Sequence, residues 1–264
     1  MKTKKCGNCG FTFIELLVVI AIVSTLVCLL LPALSRGKSR VRSIQCRNNL
    51  RQIGVALISY TQNNGSYPLF GRPSSASEPN GAKWFDDLAP ELSETWWSGV
   101  YICPEFGLTK TIGWSIRATE GYVYDSFGSY GYNGGSADEA GRQLYGLAGR
   151  IWGRLGLESE AVPESAVRNP SGMIALADSF AHSHAPFRKT PISEGSDFLS
   201  RRVEYPGVEI YPHRESRRHR GVSHVAFTDG HVEANAIQRL LLDIDDAALS
   251  RWHRDNESHR ELFP

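Results

Sequence analysis

Acid is nearly missing from the first 54 residues, where Glu15 stands alone against Lys2, Lys4 and Lys5 and six further cations between Ser35 and Gly54. No repeat of fixed period runs through the 264 residues, which disfavours solenoids and propellers. HExxH and GxSxG do not occur, and no Cys is poised beside a His, so no recognised catalytic framework emerges and no enzyme is expected. Aromatic residues do not interleave the basic stretch, and the formal charge of +1 demands no polyanionic partner, which argues against nucleic acid. Of the five Cys, Cys6 and Cys9 form one CxxC without a second pair or a nearby His, which is too little for a zinc site.

What is present begins with an apolar run. Phe11 to Leu34 carries one charge, Glu15, and as a helix reaches about 36 Å, enough for a bilayer core of about 30 Å. Glu15 lies close enough to the start to hydrate at the headgroups of an ordinary signal-anchor, or to serve a purpose inside the membrane. The ten residues ahead of the run favour a purpose. They are basic and end in Gly10, before the apolar block, whereas a secretory signal places its small-residue cleavage site after it. A cut at Gly10 exposes a new amino group on Phe11 and leaves Glu15 as the fifth residue, able to pair with the terminal ammonium of a neighbouring helix.

Gly10, Phe11, Thr12, Phe13, Ile14 and Glu15 resemble the prepilin processing signature of type IV pilins and pseudopilins. The resemblance implies cleavage after Gly10 by a prepilin peptidase, N-methylation of Phe11, and assembly with other pilin or pseudopilin subunits guided by Glu15. Pro32 resembles the helix-kinking proline of the same class. The reading divides the chain into a leader at 1–10, a transmembrane and assembly helix at 11–34, an amphipathic continuation at 35–64 and a globular domain at 65–264.

In the continuation, Cys46, Leu50, Ile53, Leu57 and Tyr60 recur at spacings of four and three, one apolar stripe on a basic helix. Gly65 and Pro68 end it. Arg36, Lys38, Arg40, Arg42, Arg47 and Arg51 read as a solvated face near anionic lipid. Three lysines before the run and four basic residues after it by position 42 do not set orientation, so an inner-membrane, single-pass chain with an outward domain rests on the resemblance. Cys46, on the stripe, and Cys103, at a strand end, either oxidise into a disulfide worth about 4 kcal/mol or stand as two buried thiols.

The globular part reads as mixed helix and sheet, giving an α+β, pilin-like fold in which the long helix packs on a small antiparallel sheet. "AKWFDDLAPEL" suits a short helix, "GMIALADSF" and "VSHVAFTDGHVEA" suit strands, "SYGYNGG" reads as a loop, and the C-terminal end reads as a short helix followed by a fraying tail. Asp229 and Gly230 read as a two-residue type I′ hairpin turn. His219, Asp229 and Gly230 resemble the H-x9-DG motif of a large prepilin-like group, and "CRNNLRQIGVALISY", "YICP" and "IALADS" resemble segments of that group.

All eight His fall between His182 and His259, with Asp178 and Asp229 on strand ends. Such a mixture can in principle hold calcium or zinc, but local hydrogen bonding by His219, Asp229 and Asp178 is the favoured reading, and no metal or catalytic set is assigned. The expected function is a structural filament subunit. The alternative is a membrane-anchored periplasmic binding or hydrolytic domain that never polymerises.

Overall fold

In a computed structural model the described residues are 12–69, 84–93, 99–105, 129–137, 143–147, 149, 160–178, 198–202, 219–236, 239, 243 and 245–262. The chain divides into two compact units, Met1–Val41 and Arg42–Pro264. It is α+β, with a long, partly apolar N-terminal helix whose second half packs on a small sheet.

Helix α1 runs Phe13–Asn64 and continues through Pro32, whose missing N–H leaves the Cys28 carbonyl without its usual helical donor. The helix closes where Gly65, at φ +69°, donates its N–H to the Thr61 carbonyl. Within the second unit the 4-3 stripe faces inward: Cys46, Leu50, Ile53 and Leu57 are fully buried and Tyr60 packs against the same core. Burial of an aliphatic side chain of this size is worth about 1.5–3 kcal/mol, so the stripe anchors the helix to the domain. Arg36, Lys38, Arg40, Arg42, Arg47 and Arg51 are exposed.

Helix α2, Trp84–Leu92, forms on the expected segment and buries Trp84, Phe85 and Leu88. Trp84 stacks on Tyr132 with centroids 5.5 Å apart and meets Phe85 and Tyr101 edge-on. Burial raises the Tyr132 phenol well above its ordinary pKa, keeping it neutral inside this cluster.

The strands are β1 Tyr130–Ala137, β2 Gln143–Tyr145, β3 Ile174–Asp178, β4 Phe198–Arg202, β5 Val222–Phe227 and β6 Val232–Ala236. Their order is β2-β1-β3-β5-β6, antiparallel throughout that path, with β4 added parallel to β1. "SYGYNGG", expected as a loop, is most of β1. Glycine is poor in strands, but Tyr130, Tyr132 and Asn133 are wholly buried here, and the pairing and packing they gain override the local preference.

The sheet is covered on both faces. Ala175, Leu176 and Ala226 join the α1 core, while Ile174, Ala177, Val225 and Phe227 pack with Trp252 on the other side. The register slips between Ile174 and Leu176, which lets the adjacent Ala175 and Leu176 face the same way. Trp252 follows helix α3, Asp246–Leu249, whose cap Asp245 accepts the Ala248 N–H. The tail beyond does not fray among its described residues. Arg254 donates its N–H to the Tyr145 carbonyl, the Arg254 carbonyl accepts from Arg168, and His259 stacks on Tyr145 at 3.6 Å.

Candidate functional site

Two regions gather the sequence-predicted residues. At the amino end, Gly10 and Phe11 lie outside the described residues, and Thr12 and Glu15 form a reciprocal cap on α1. The Thr12 N–H and hydroxyl donate to the Glu15 carboxylate at 2.8 and 2.6 Å, and the Glu15 N–H donates back to the Thr12 hydroxyl at 3.3 Å. Within the single chain the acid therefore has local work, closing helical N–H groups. Its neighbours are apolar and outward: the large side chains from Phe13 to Leu34 are all exposed, Phe13 at 80%. A helix this long and apolar is able to cross a membrane.

The second region is built where β3, β5 and the 99–105 segment meet the start of the packed half of α1. Cys46 and Cys103 are joined, with Cα atoms 5.1 Å apart across 57 positions of sequence. The Cys103 N–H donates to the Ser129 hydroxyl at 2.8 Å. His219 sets its Nε2 3.3 Å from the Cys103 sulfur and 3.7 Å from Asp178 Oδ2. On its other side, Nδ1 lies 2.9 Å from Glu105 Oε2, which also accepts the His219 backbone N–H at 2.7 Å. Asp178 accepts the His224 N–H at 2.8 Å, and His224 Nε2 lies 2.9 Å from the Ser43 hydroxyl. The two imidazoles face each other at 4.4 Å with a 40° tilt. Cys46, Cys103, Asp178, His219 and His224 are all buried.

The backbone is strained where this cluster begins. His219, Arg220 and Gly221 take φ of +48°, +63° and +83° in succession just before β5. For the two L side chains that conformation costs about 1–2 kcal/mol each, and its effect is to turn the His219 ring inward beneath Glu105.

The Asp-Gly turn begins five residues past His224. The hairpin closes through three residues, Thr228, Asp229 and Gly230, and not the two expected: Phe227 pairs with His231, Gly230 donates to the Phe227 carbonyl, and Gly230 at φ +86° is the only one of the three in left-handed space. A type I turn followed by one left-handed glycine matches strand twist as well as a type I′ turn does, and needs positive φ once. Asp229 accepts the His231 N–H at 3.1 Å, and the Gly230 Cα lies close to Gly54 of α1.

Sequence reading singled out His219, Asp229, Gly230, Cys46 and Cys103. The structure separates them into the cluster around His219 and the turn at Asp229–Gly230. It brings Asp178 and His224, both part of the His and Asp mixture read from the sequence, into the first, and adds Glu105 and Ser43, which carried no sequence signal. Chemically the cluster offers two imidazoles, two carboxylates and a sulfur pair, all of them buried except the half-buried Glu105.

Compared with known proteins, residues 5–29 match the family model described as the prokaryotic N-terminal methylation motif, and residues 38–140 match the model described as a protein of unknown function, DUF1559. Cys46, Cys103 and Glu105 fall inside the second match, and His219 to Gly230 fall outside both. No curated protein and no solved structure matches the chain.

Proposed function

We propose that this type IV pilin-like protein works as a structural subunit of a type IV pilus or of a pseudopilus like those of type II secretion. In this reading a prepilin peptidase cuts after Gly10 and Phe11 is methylated. The single apolar helix rests in the inner membrane, the globular domain lies on the periplasmic side, and subunits assemble through their N-terminal helices. No catalysis and no cofactor are required for that role.

One observation carries the reading: the methylation motif runs into a helix whose large apolar side chains from Phe13 to Leu34 are all exposed, and whose one acid sits in its first turn. An outward apolar surface must be covered, first by lipid and then by like helices. A lone carboxylate at its start gives neighbouring subunits a charge to bind, and the ammonium of a freshly cut Phe11 is the matching group.

The test separates this role from the helix cap. Glu15→Ala removes both the cap and the charge, whereas Thr12→Val weakens the cap and keeps the charge. Crosslinking of neighbouring N-terminal helices in native membranes should be lost in Glu15→Ala and kept in Thr12→Val, with both chains still inserted. An anchored domain that never polymerises would give no crosslinks in the wild type, and equal loss in both variants would reduce Glu15 to a cap.

A further inference from the structure

We propose that Asp178, His219 and His224 form a binding site for a divalent transition metal, zinc being the ion their chemistry fits best. The inference is independent of the filament reading, because these groups lie in the globular unit.

One ligand atom from each of the three lies within 4.8 Å of the others. Two ligands on a tetrahedral zinc, each about 2.1 Å from it, stand about 3.4 Å apart. His219 Nε2 and Asp178 Oδ2 are 3.7 Å apart, a few tenths of an ångström from that value. Two imidazoles and a carboxylate suit zinc, whereas calcium takes six or more oxygens. The three ligands leave a fourth position for a solvent oxygen.

The surroundings are those of metal ligands. A ligating imidazole almost always gives its second nitrogen to a carboxylate or another acceptor, which fixes the tautomer and frees the first for the ion. Glu105 Oε2 stands 2.9 Å from Nδ1 of His219, within ion-pair distance, and Nε2 is the nitrogen facing Asp178. Ser43 lies against Nε2 of His224, and the His224 N–H holds the Asp178 carboxylate in place. Consecutive positive φ at His219 and Arg220 is a further sign that the ring position is held at a cost. A divalent ion would also balance the charges of Asp178 and Glu105 in this enclosed space.

His219 belongs to a competing trio with Cys46 and Cys103, available to a metal only when the disulfide is open. The experiment distinguishes the two. The full-length protein is purified in detergent without chelators, its thiols are counted by mass spectrometry, and its metal content is measured. The disulfide-bonded wild type should hold about one zinc per chain, and cobalt exchanged into it should show no thiolate charge-transfer band. Asp178→Asn and His224→Gln should lose the ion. Glu105→Gln, which leaves all three ligands in place, should fold with an unchanged near-ultraviolet spectrum and bind zinc about 10–100-fold more weakly. The proposal is overturned by an oxidised wild type that neither carries nor takes up zinc, by zinc that enters only after reduction, or by a Glu105→Gln chain with wild-type affinity.

Discussion

Two glycines touch where the hairpin turn meets the helix, and they should respond to the same substitution with opposite sign. A methyl group at Gly230 would stand 2.8 Å from Cδ1 of Ile58, about 1 Å inside a comfortable carbon contact, on a residue at φ +86°. Left-handed backbone costs an alanine about 1–2 kcal/mol, and pushing Ile58 off its rotamer adds about 0.5–1.5 kcal/mol. Loss of unfolded-state freedom returns about 0.4–1 kcal/mol, so Gly230→Ala should destabilise by about 0.5–3 kcal/mol. A methyl at Gly54 meets the Gly230 Cα at 3.6 Å, an ordinary contact, and replaces a glycine inside a helix. Gly54→Ala should therefore be neutral or stabilising by up to about 1 kcal/mol. Ile58→Val removes the clashing carbon. Combined with Gly230→Ala it should recover about 0.5–1.5 kcal/mol beyond additivity, leaving the backbone strain. Urea unfolding of the full chain in detergent, followed by the near-ultraviolet dichroism of the buried Trp84 and Trp252, measures all four variants. A Gly230→Ala chain within about 0.5 kcal/mol of wild type, or no coupling to Ile58, would refute the account of the turn.

Trp252→Ala, which strips the cover from Ile174, Val225 and Phe227, should cost about 3–5 kcal/mol in the same assay, and a loss under about 1 kcal/mol would mean the tail is not part of the core. The tail should also loosen in acid. Partial desolvation raises the Asp255 pKa, but hydrogen bonds from His259 and the Glu257 N–H outweigh it and hold the group below its ordinary value. A lowered folded-state pKa gives stability that is complete above the unfolded value of about 3.9 and drains away as pH falls through the folded one. Protection of the Glu257 amide, whose N–H donates to Asp255, measured against its intrinsic exchange rate, should therefore hold at pH 6 and fall below about pH 4, and Asp255→Asn should flatten that dependence.

Legibility followed the range of the interactions. The stripe Cys46, Leu50, Ile53, Leu57 and the helix at Trp84 were readable because a 3.6-residue period is written locally. The strand at Ile174 and the hairpin arms were readable for the same reason, but the turn length was not, since Asp-Gly serves two loops that differ only in where the chain folds back. Tyr130 to Ala137 was misread because its glycines argue locally against a strand, and the burial of Tyr132 against Trp84 that decides the matter comes from 48 residues away. The tail was misread likewise: its polar residues look solvated until Trp252 and His253 are seen to be buried. The His219 cluster was beyond local reading altogether, because Glu105 and Asp178 reach it from 114 and 41 positions away through sheet register and loop closure.

The spacing from His219 to Asp229 and Gly230 has a geometric reason that joins these parts. Ser43 contacts His224, and Gly54 contacts Gly230, so β5 runs alongside α1 from one contact to the other. Eleven helical residues rise about 16 Å. Three strand steps from His224 to Phe227 cover about 10 Å, and the three-residue turn carries the chain over the remaining distance. Along β5 the residues alternate: Ala226 faces the α1 core, and Val225 and Phe227 face Trp252. One residue inserted between His219 and Asp229 would exchange those faces and turn His224 away from Ser43. Two would restore the faces but carry Gly230 about 7 Å beyond Gly54, where its lack of a side chain no longer serves the contact. The number nine is therefore fixed from both ends, by a histidine that must enter the buried cluster and a glycine that must meet the helix.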